Sequence, residues 1–232
     1  MKKLILISFL TLFCTVISAQ RLGFIGGYQL TTPFPFSYNI YNEQDVNFNA
    51  ASGSGFHVGG YFDWNIKSGY GLDAQILYSM RTTKFNLHYL SDTTTIFRRN
   101  IFSLEVPIHF FLNFPIKKGW TLSPYIGPSL TIGLHGKDIA WENTDREKPV
   151  DYQTSDLFDK DNGRLMRFEL AGQIGLTAKY RNYAIRTGYS MSLTNLANQK
   201  FNWTLPLPSK QKNYLFNGVF SLSFIYVFDL RK

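Results

Sequence analysis

The feature that most constrains the fold is a strict two-residue alternation near the C-terminal end of the chain, over residues 216–228. Every second residue there except Gly218 has a large apolar side chain, and the side chains between them are small or mixed. Successive side chains of a β-strand point to opposite faces, so this pattern predicts a strand with one apolar face. Residues 168–180 and 183–193 repeat the pattern. The apolar face of the first segment consists of Phe216, Gly218, Phe220, Leu222, Phe224, Tyr226 and Phe228.

The same alternation predicts eight strands, and the connections between them alternate in length. The strands lie near residues 21–31, 54–66, 70–83, 96–114, 121–135, 167–180, 183–193 and 214–228. Three connections are short, and the four between them are long, over residues 32–53, 84–95, 136–166 and 194–213. Short periplasmic turns and longer outer loops are typical of outer-membrane barrels. We therefore predict an all-β fold: a closed antiparallel up-and-down transmembrane β-barrel of eight strands.

Prolines inside the predicted strands interrupt regular pairing, because proline has no N–H to donate to a β-ladder. Gly127-Pro128 lies within the predicted strand 121–135. The pair predicts a β-bulge at that point.

Most charged residues of the predicted strands lie on the face opposite the aromatic one. An eight-stranded barrel has an interior that side chains fill, so this face predicts a packed polar lumen. Buried charges need partners, and four acids against three bases favour internal ion pairs over an ion-selective channel. The inward face also carries Asp63, Lys179, His57 and His109. The residues predicted to form a structural lumen network are Asp73, Arg81, Glu105, Glu169 and Arg186.

A soluble β-sandwich or a lipocalin-like barrel is the alternative, with the apolar face buried inside. The start of the chain favours the membrane instead. Lys2 and Lys3 precede an apolar run over residues 4–17, and Ser18-Ala19 follows. This order predicts a secretory signal peptide at residues 1–19, which leaves residues 20–232 as one barrel domain in the bacterial outer membrane.

The composition excludes several other classes of protein. The only cysteine, Cys14, lies in the apolar run, so the mature chain has no disulfide, zinc-thiolate site or cysteine nucleophile. The formal net charge is +8, but the basic residues do not cluster, which argues against nucleic-acid binding. No motif for an organic cofactor is present.

Catalytic and metal sites are not predicted either. His57, His88 and His135 lie near strand ends, where a lipid-modifying outer-membrane enzyme would hold a base, but no orienting acid is evident beside them. Alternation does not pair residues across strands, so this alternative stays open. Residues 159–163 resemble the start of a calcium loop, but Gly163 and Arg164 occupy the fifth and sixth positions, where an EF-hand needs a ligand and a glycine.

Short motifs resemble a known family. Residues 101–107 are Ile-Phe-Ser-Leu-Glu-Val-Pro, and residues 124–129 are Pro-Tyr-Ile-Gly-Pro-Ser, with a short basic turn between them. Together with Gly188-Tyr189-Ser190 and Leu193-Thr194-Asn195 they resemble the PorT-like group of Bacteroidetes-type outer-membrane β-barrel proteins. The resemblance implies an outer-membrane barrel, usually without assigned activity. Some relatives serve a protein secretion and gliding apparatus.

We therefore expect a non-enzymatic outer-membrane protein that is surrounded by outer-membrane lipid. Its expected role is structural, or is binding of a protein or surface ligand through loops 32–53, 136–166 and 194–213. The alternatives are a lipid-modifying outer-membrane enzyme and an accessory barrel subunit of a secretion complex.

Overall fold

A computed structural model of the chain describes residues 21–35, 46–67, 69–89, 94–117, 119–142, 156–159, 163, 165–197 and 215–229. The predicted signal peptide, residues 1–19, lies outside the described residues. No helix in the described part of the chain is long and apolar enough to span a membrane. The strands are β1 Arg21–Pro35, β2 Val46–Lys67, β3 Tyr70–Tyr89, β4 Thr94–Leu112, β5 Phe114–Lys117, β6 Trp120–Glu142, β7 Phe168–Tyr180, β8 Tyr183–Ser192 and β9 Leu215–Asp229.

These strands close into an eight-stranded barrel because β4 and β5 are two parts of one barrel strand. Only Asn113 separates them, and both pair with β6. The remaining neighbours pair antiparallel in chain order, and β1 pairs with both β2 and β9. The prediction of a closed, antiparallel, up-and-down barrel of eight strands is confirmed. Closure pairs each strand on both sides, which a bilayer requires because it has no water to satisfy a free edge.

The two faces of the barrel differ as the alternation predicts. Apolar side chains such as Phe24, Ile126 and Ile185 are more than half exposed on the outward face. Aromatic rings gather at the end with the short turns, where Trp120 stacks on Tyr180 at 4.9 Å between ring centroids. Amphipathic rings at that level suit the interface between lipid and water.

Several strands extend further toward the outer end than predicted. β2 begins at Val46, within the predicted loop 32–53, and β6 continues to Glu142, within the predicted loop 136–166. Val46–Ser52 pairs with Thr83–Tyr89 on β3, and the end of β6 pairs with the start of β4. The predicted loop bounds were wrong here because alternation marks only the part of a strand with one face in lipid. A hairpin that continues into water has no such pattern.

The predicted bulge at Gly127-Pro128 was also wrong. The register of β6 against β7 is unbroken from Trp120 to Ile132. The irregularity lies higher, where Phe102 pairs with His135 and Ser103 pairs with Gly133. Gly127 instead permits close approach of β4, because a Cβ there would lie 2.0 Å from the carbonyl oxygen of Ile108.

Candidate functional site

The upper cluster of the lumen, Arg81 with Glu105 and Glu169, joins three strands. Arg81 Nη2 lies 2.9 Å from Glu105 Oε1, and Arg81 Nη1 lies 2.8 Å from Glu169 Oε2. Ser79 and Ser192 donate further hydrogen bonds to Glu105 and Glu169 respectively. The guanidinium and both carboxylates are almost fully buried, so the cluster satisfies its charges without bulk water.

The middle cluster, Arg186 with Asp73 and His109, lies closer to the short turns. Arg186 makes a bidentate pair with Asp73, at 2.6 Å from Nη2 to Oδ2 and 3.1 Å from Nη1 to Oδ1. His109 Nδ1 lies 2.9 Å from the same carboxylate, and His109 Nε2 lies 2.8 Å from Gln173 Oε1. These contacts hold the imidazole at both nitrogens, so its orientation is fixed.

Two tyrosines complete the surroundings of Arg186. The guanidinium carbon lies 4.3 Å from the ring centroid of Tyr125 and 5.4 Å from that of Tyr61. A cation over a desolvated aromatic face is stabilised by the ring quadrupole. Gly188 on β8 makes room for the side chain of Tyr125, because a Cβ at that position would lie 2.0 Å from the tyrosine hydroxyl.

A lower pair closes the end of the lumen next to the short turns. Lys179 Nζ lies 3.2 Å from Asp63 Oδ2. The same ammonium lies 4.0 Å from the ring centroid of Phe111, which is almost fully buried. β7 and β2 stand opposite each other in the ring of strands, so this pair spans the lumen.

The structure places all five predicted lumen residues inside the barrel. It brings Arg81 together with Glu105 and Glu169, and Arg186 together with Asp73. Among the described residues, no ion pair joins the two clusters. A small polar cavity of ≈ 30 Å³ lies between them, lined by residues of both clusters and by His57. That volume has room for about two water molecules.

A short segment, Asp156–Asp159, packs over the outer end of the lumen, and we name it the cap. Leu157 and Phe158 are buried together with Leu165. Phe158 occupies the space over Gly133, where a Cβ would lie 2.3 Å from its ring. Arg167 donates two hydrogen bonds to the carbonyl of Phe158, at 3.2 and 3.0 Å. Sequence reasoning missed the cap because two adjacent apolar residues in an acidic loop give no periodic signal.

Asp156 anchors the cap to the upper end of β6. It accepts hydrogen bonds from the backbone N–H groups of Gly136 at 3.0 Å and Phe158 at 3.2 Å. His135 Nδ1 lies 3.4 Å from its other oxygen. Partial burial acts to raise the pKa of Asp156, but the two N–H groups and His135 outweigh it and hold that pKa below its usual value.

The histidines considered as catalytic candidates have different surroundings. His57 is buried, and its Nε2 lies 2.8 Å from Ser223 Oγ. The sequence left open whether an acid lies beside these histidines, and the structure places Asp156 of the cap beside His135. The side chain of His88 and residues 160–162 of the calcium-like segment lie outside the described residues. The described residues contain no cluster of three metal-ligating side chains.

Comparisons with known proteins agree with this architecture. The family described as "Outer membrane protein beta-barrel domain" matches residues 20–198. The search of curated proteins finds no match. Among solved structures, the outer membrane protein OprG from Pseudomonas aeruginosa is 12% identical, with 90% of this chain and 96% of that chain covered and a TM-score of 0.51.

Two further solved barrels are similar at lower TM-scores. Ail of Yersinia pestis, in complex with the heparin analogue sucrose octasulfate, is 13% identical, with 90% of this chain and 98% of that chain covered and a TM-score of 0.39. Neisserial surface protein A is 14% identical, with 88% of this chain and 96% of that chain covered and a TM-score of 0.37. At these identities the similarity concerns the fold alone.

Proposed function

Because the chain belongs to the outer membrane protein β-barrel domain family, we propose that it is a sealed barrel without enzymatic activity. It acts structurally or binds partners through its outer loops. The observation that carries this proposal is the filling of the lumen at four successive levels. From the short turns outward these levels are the lower pair, the middle cluster, the upper cluster and the cap.

The ion pairs support a sealed lumen because they cross it. Arg186 on β8 and Asp73 on β3 stand on opposite walls of the ring of strands, as do Lys179 and Asp63. A solute that passed through would have to separate these buried partners and leave their charges unpaired inside the barrel. The outer loops are then the available surface for binding. Much of them, residues 36–45, 143–155 and 198–214, lies outside the described residues.

Permeation of a small sugar into liposomes tests the sealed lumen. Purified barrel is reconstituted at known density, and insertion is verified by its heat-dependent shift on a gel. We expect influx at the rate of protein-free liposomes. Influx that rises in proportion to the amount of inserted barrel would make transport the function.

Export and family placement are parts of the same proposal. Cleavage after Ala19 would release a chain that begins at Gln20, and sequencing the N-terminus of the protein from outer membranes tests this. The PorT-like, Bacteroidetes-type motifs include Glu105 and Tyr125, which contact Arg81 and Arg186. Their position in the lumen supports a shared barrel interior, whereas the role of accessory subunit in a secretion complex rests on the resemblance alone.

One observation keeps the lipid-modifying enzyme as a second candidate. His135 and Asp156 form a partly exposed pair at the outer end of β6, the level at which such an enzyme acts on lipid. Mass spectra of lipid A from cells that express the wild type or His135→Ala separate the two functions. We expect identical spectra, and a modification that only the wild type produces would establish the enzyme.

A further inference from the structure

The outward surface of β3, β4 and β6 changes from apolar to cationic along its length. Neighbours across these strands remain apolar up to the level of Tyr78 and Leu104, and Met80 pairs with Phe102 one step higher. The next two steps bring Lys137 opposite Asn100 and Lys84 opposite Arg98. Lys84 and Lys137 are exposed and Arg98 is half-buried. We name Lys84, Arg98 and Lys137 the outer basic patch.

The height of the patch follows from strand geometry. The outward face of β3 is apolar or aromatic from Tyr70 to Met80. Ten residues at about 3.3 Å each, in a strand tilted by about 40°, rise roughly 25 Å. The apolar band of an outer-membrane barrel is about 25 Å tall. The patch therefore begins where the hydrocarbon ends and lies at the level of the outer headgroups.

The charges of the patch are not neutralised by the described part of the chain. None of its three cations forms an ion pair with another described residue, and Arg98 Nε is buried without a hydrogen-bond partner. The adjacent Arg99 points into the barrel and makes a bidentate pair with Asp138, with both N–O distances at 2.8 Å. Asp156, whose backbone contacts hold it beside β6, is paired with His135. Inward cations are thus matched by carboxylates, whereas the three cations of the patch have no such partner among the described residues.

We propose that the outer basic patch binds the phosphate group of an anionic lipid in the outer leaflet. The guanidinium of Arg98 presents a fork of donors that fits phosphate oxygens, and the flanking lysines add positive charge. The acyl chains of that lipid lie against the apolar rows below, which begin with Phe102 stacked on Tyr78 at 6.2 Å between ring centroids. Headgroup and chains are therefore recognised by adjoining parts of one surface.

Native mass spectrometry of the detergent-purified full-length barrel tests the proposal. The probes are lipid A carrying two phosphates and the same lipid after enzymatic dephosphorylation. The test variant carries Lys84→Gln, Arg98→Gln and Lys137→Gln. A matched control carries Arg21→Gln, Lys117→Gln and Arg181→Gln at the other end of the barrel, so that both variants lose three positive charges.

We expect the wild type and the control to bind phosphorylated lipid A equally, and the patch variant to bind at least tenfold more weakly. Dephosphorylated lipid should bind all three proteins with the weak affinity of the patch variant. Equal binding of phosphorylated lipid by the patch variant and the control would overturn the proposal.

Two further arms keep the test decisive. Inorganic phosphate added at millimolar concentration should not displace the lipid, and displacement would assign the site to a free anion. If the triple variant fails its heat-shift test for folding, Lys137→Gln alone is compared with Lys117→Gln. A weaker lipid affinity is then expected for Lys137→Gln only, and equal affinities would overturn the proposal.

Discussion

Arg81 in the upper cluster contacts two carboxylates, whereas Arg186 in the middle cluster contacts one carboxylate and two aromatic rings. The upper cluster therefore carries one negative charge in excess, which the hydroxyl groups of Ser79 and Ser192 help to stabilise. In the middle cluster the charges of Arg186 and Asp73 balance, and tyrosine rings cover the faces of the guanidinium.

The difference shows two ways in which a closed lumen satisfies a buried cation. In the upper cluster the stabilisation of both buried carboxylates depends mainly on the positive charge of Arg81, because Glu105 and Glu169 share it. In the middle cluster the stabilisation is divided among the ion pair, the hydrogen bonds of His109 and Gln75, and the rings. Removing the arginine should therefore lower the unfolding free energy more in the upper cluster than in the middle one.

The largest effect is expected for Arg81→Met. The substitution leaves Glu105 and Glu169 buried near each other without their common cation, which places the loss of unfolding free energy at about 5 kcal/mol, the upper part of the range for broken buried pairs. Urea titration in detergent, followed by tryptophan fluorescence, measures it.

A charge-matched variant is the control for this experiment. Arg81→Met combined with Glu105→Gln and Glu169→Gln removes the uncompensated charges, so most of the lost stability should return. A triple variant no more stable than Arg81→Met would show that packing, and not charge, sets the stability of the upper cluster.

Arg186→Met is expected to cost less, about 3 kcal/mol, at the lower end of the same range. Asp73 then keeps His109 and Gln75 as hydrogen-bond partners. The same urea titration, run beside Arg81→Met, gives the difference between the clusters. A larger loss for Arg186→Met than for Arg81→Met would reverse the comparison.

Tyr125→Leu tests the contribution of the rings. Loss of the aromatic face over Arg186 should lower the unfolding free energy by about 2 kcal/mol, the magnitude of a desolvated cation–π contact. Tyr61→Phe is the control, because it keeps a ring beside Arg186 and removes a buried hydroxyl that has no hydrogen-bond partner. We expect its stability to equal or exceed that of the wild type. Equal losses of unfolding free energy in the two variants would show that the aromatic rings do not stabilise Arg186.

The smallest expected effect is on the local stability of the cap, which should depend on pH through Asp156. The pKa of Asp156 is depressed in the folded protein, so its contribution is fully present above the ordinary value of 3.8 and is lost as the pH falls below it. Hydrogen exchange at Leu157 and Phe158, compared between Asp156→Asn and wild type, measures the change. The protection lost in the variant should be largest at pH 6 and should shrink as the pH falls below 3.8. A difference that stays the same from pH 6 down to the lowest pH at which the barrel remains folded would contradict this role of the carboxylate.

Alternation alone predicted the closed barrel and the face of each strand that looks inward. It did so because lipid on one side and a packed lumen on the other impose opposite polarities on successive residues. That constraint ends with the bilayer, and the strand over Val46–Ser52 was missed. The bulge near Leu134 was missed for a related reason, since a change of register is a property of two strands.

The sequence did not predict which charged side chains of the lumen pair with each other. Arg81 and Glu169 are 88 positions apart, and Arg186 and Asp73 are 113 positions apart. Periodicity gives the face of a residue but not its height relative to other strands, which depends on tilt and stagger around the ring. The cap escaped prediction because Leu157 and Phe158 gain their burial from Gly133 and Gly136, which lie on β6.

Single-channel recording in planar bilayers tests the sealed lumen most directly. Folded wild-type protein should give no steady current above that of the bare bilayer over a wide range of voltage and salt. The double variant Arg81→Ala, Arg186→Ala, verified as folded by its heat shift, shows whether an emptied lumen conducts in the same preparation. Stable and reproducible open-channel currents from pure wild-type protein would contradict a lumen sealed by paired charges.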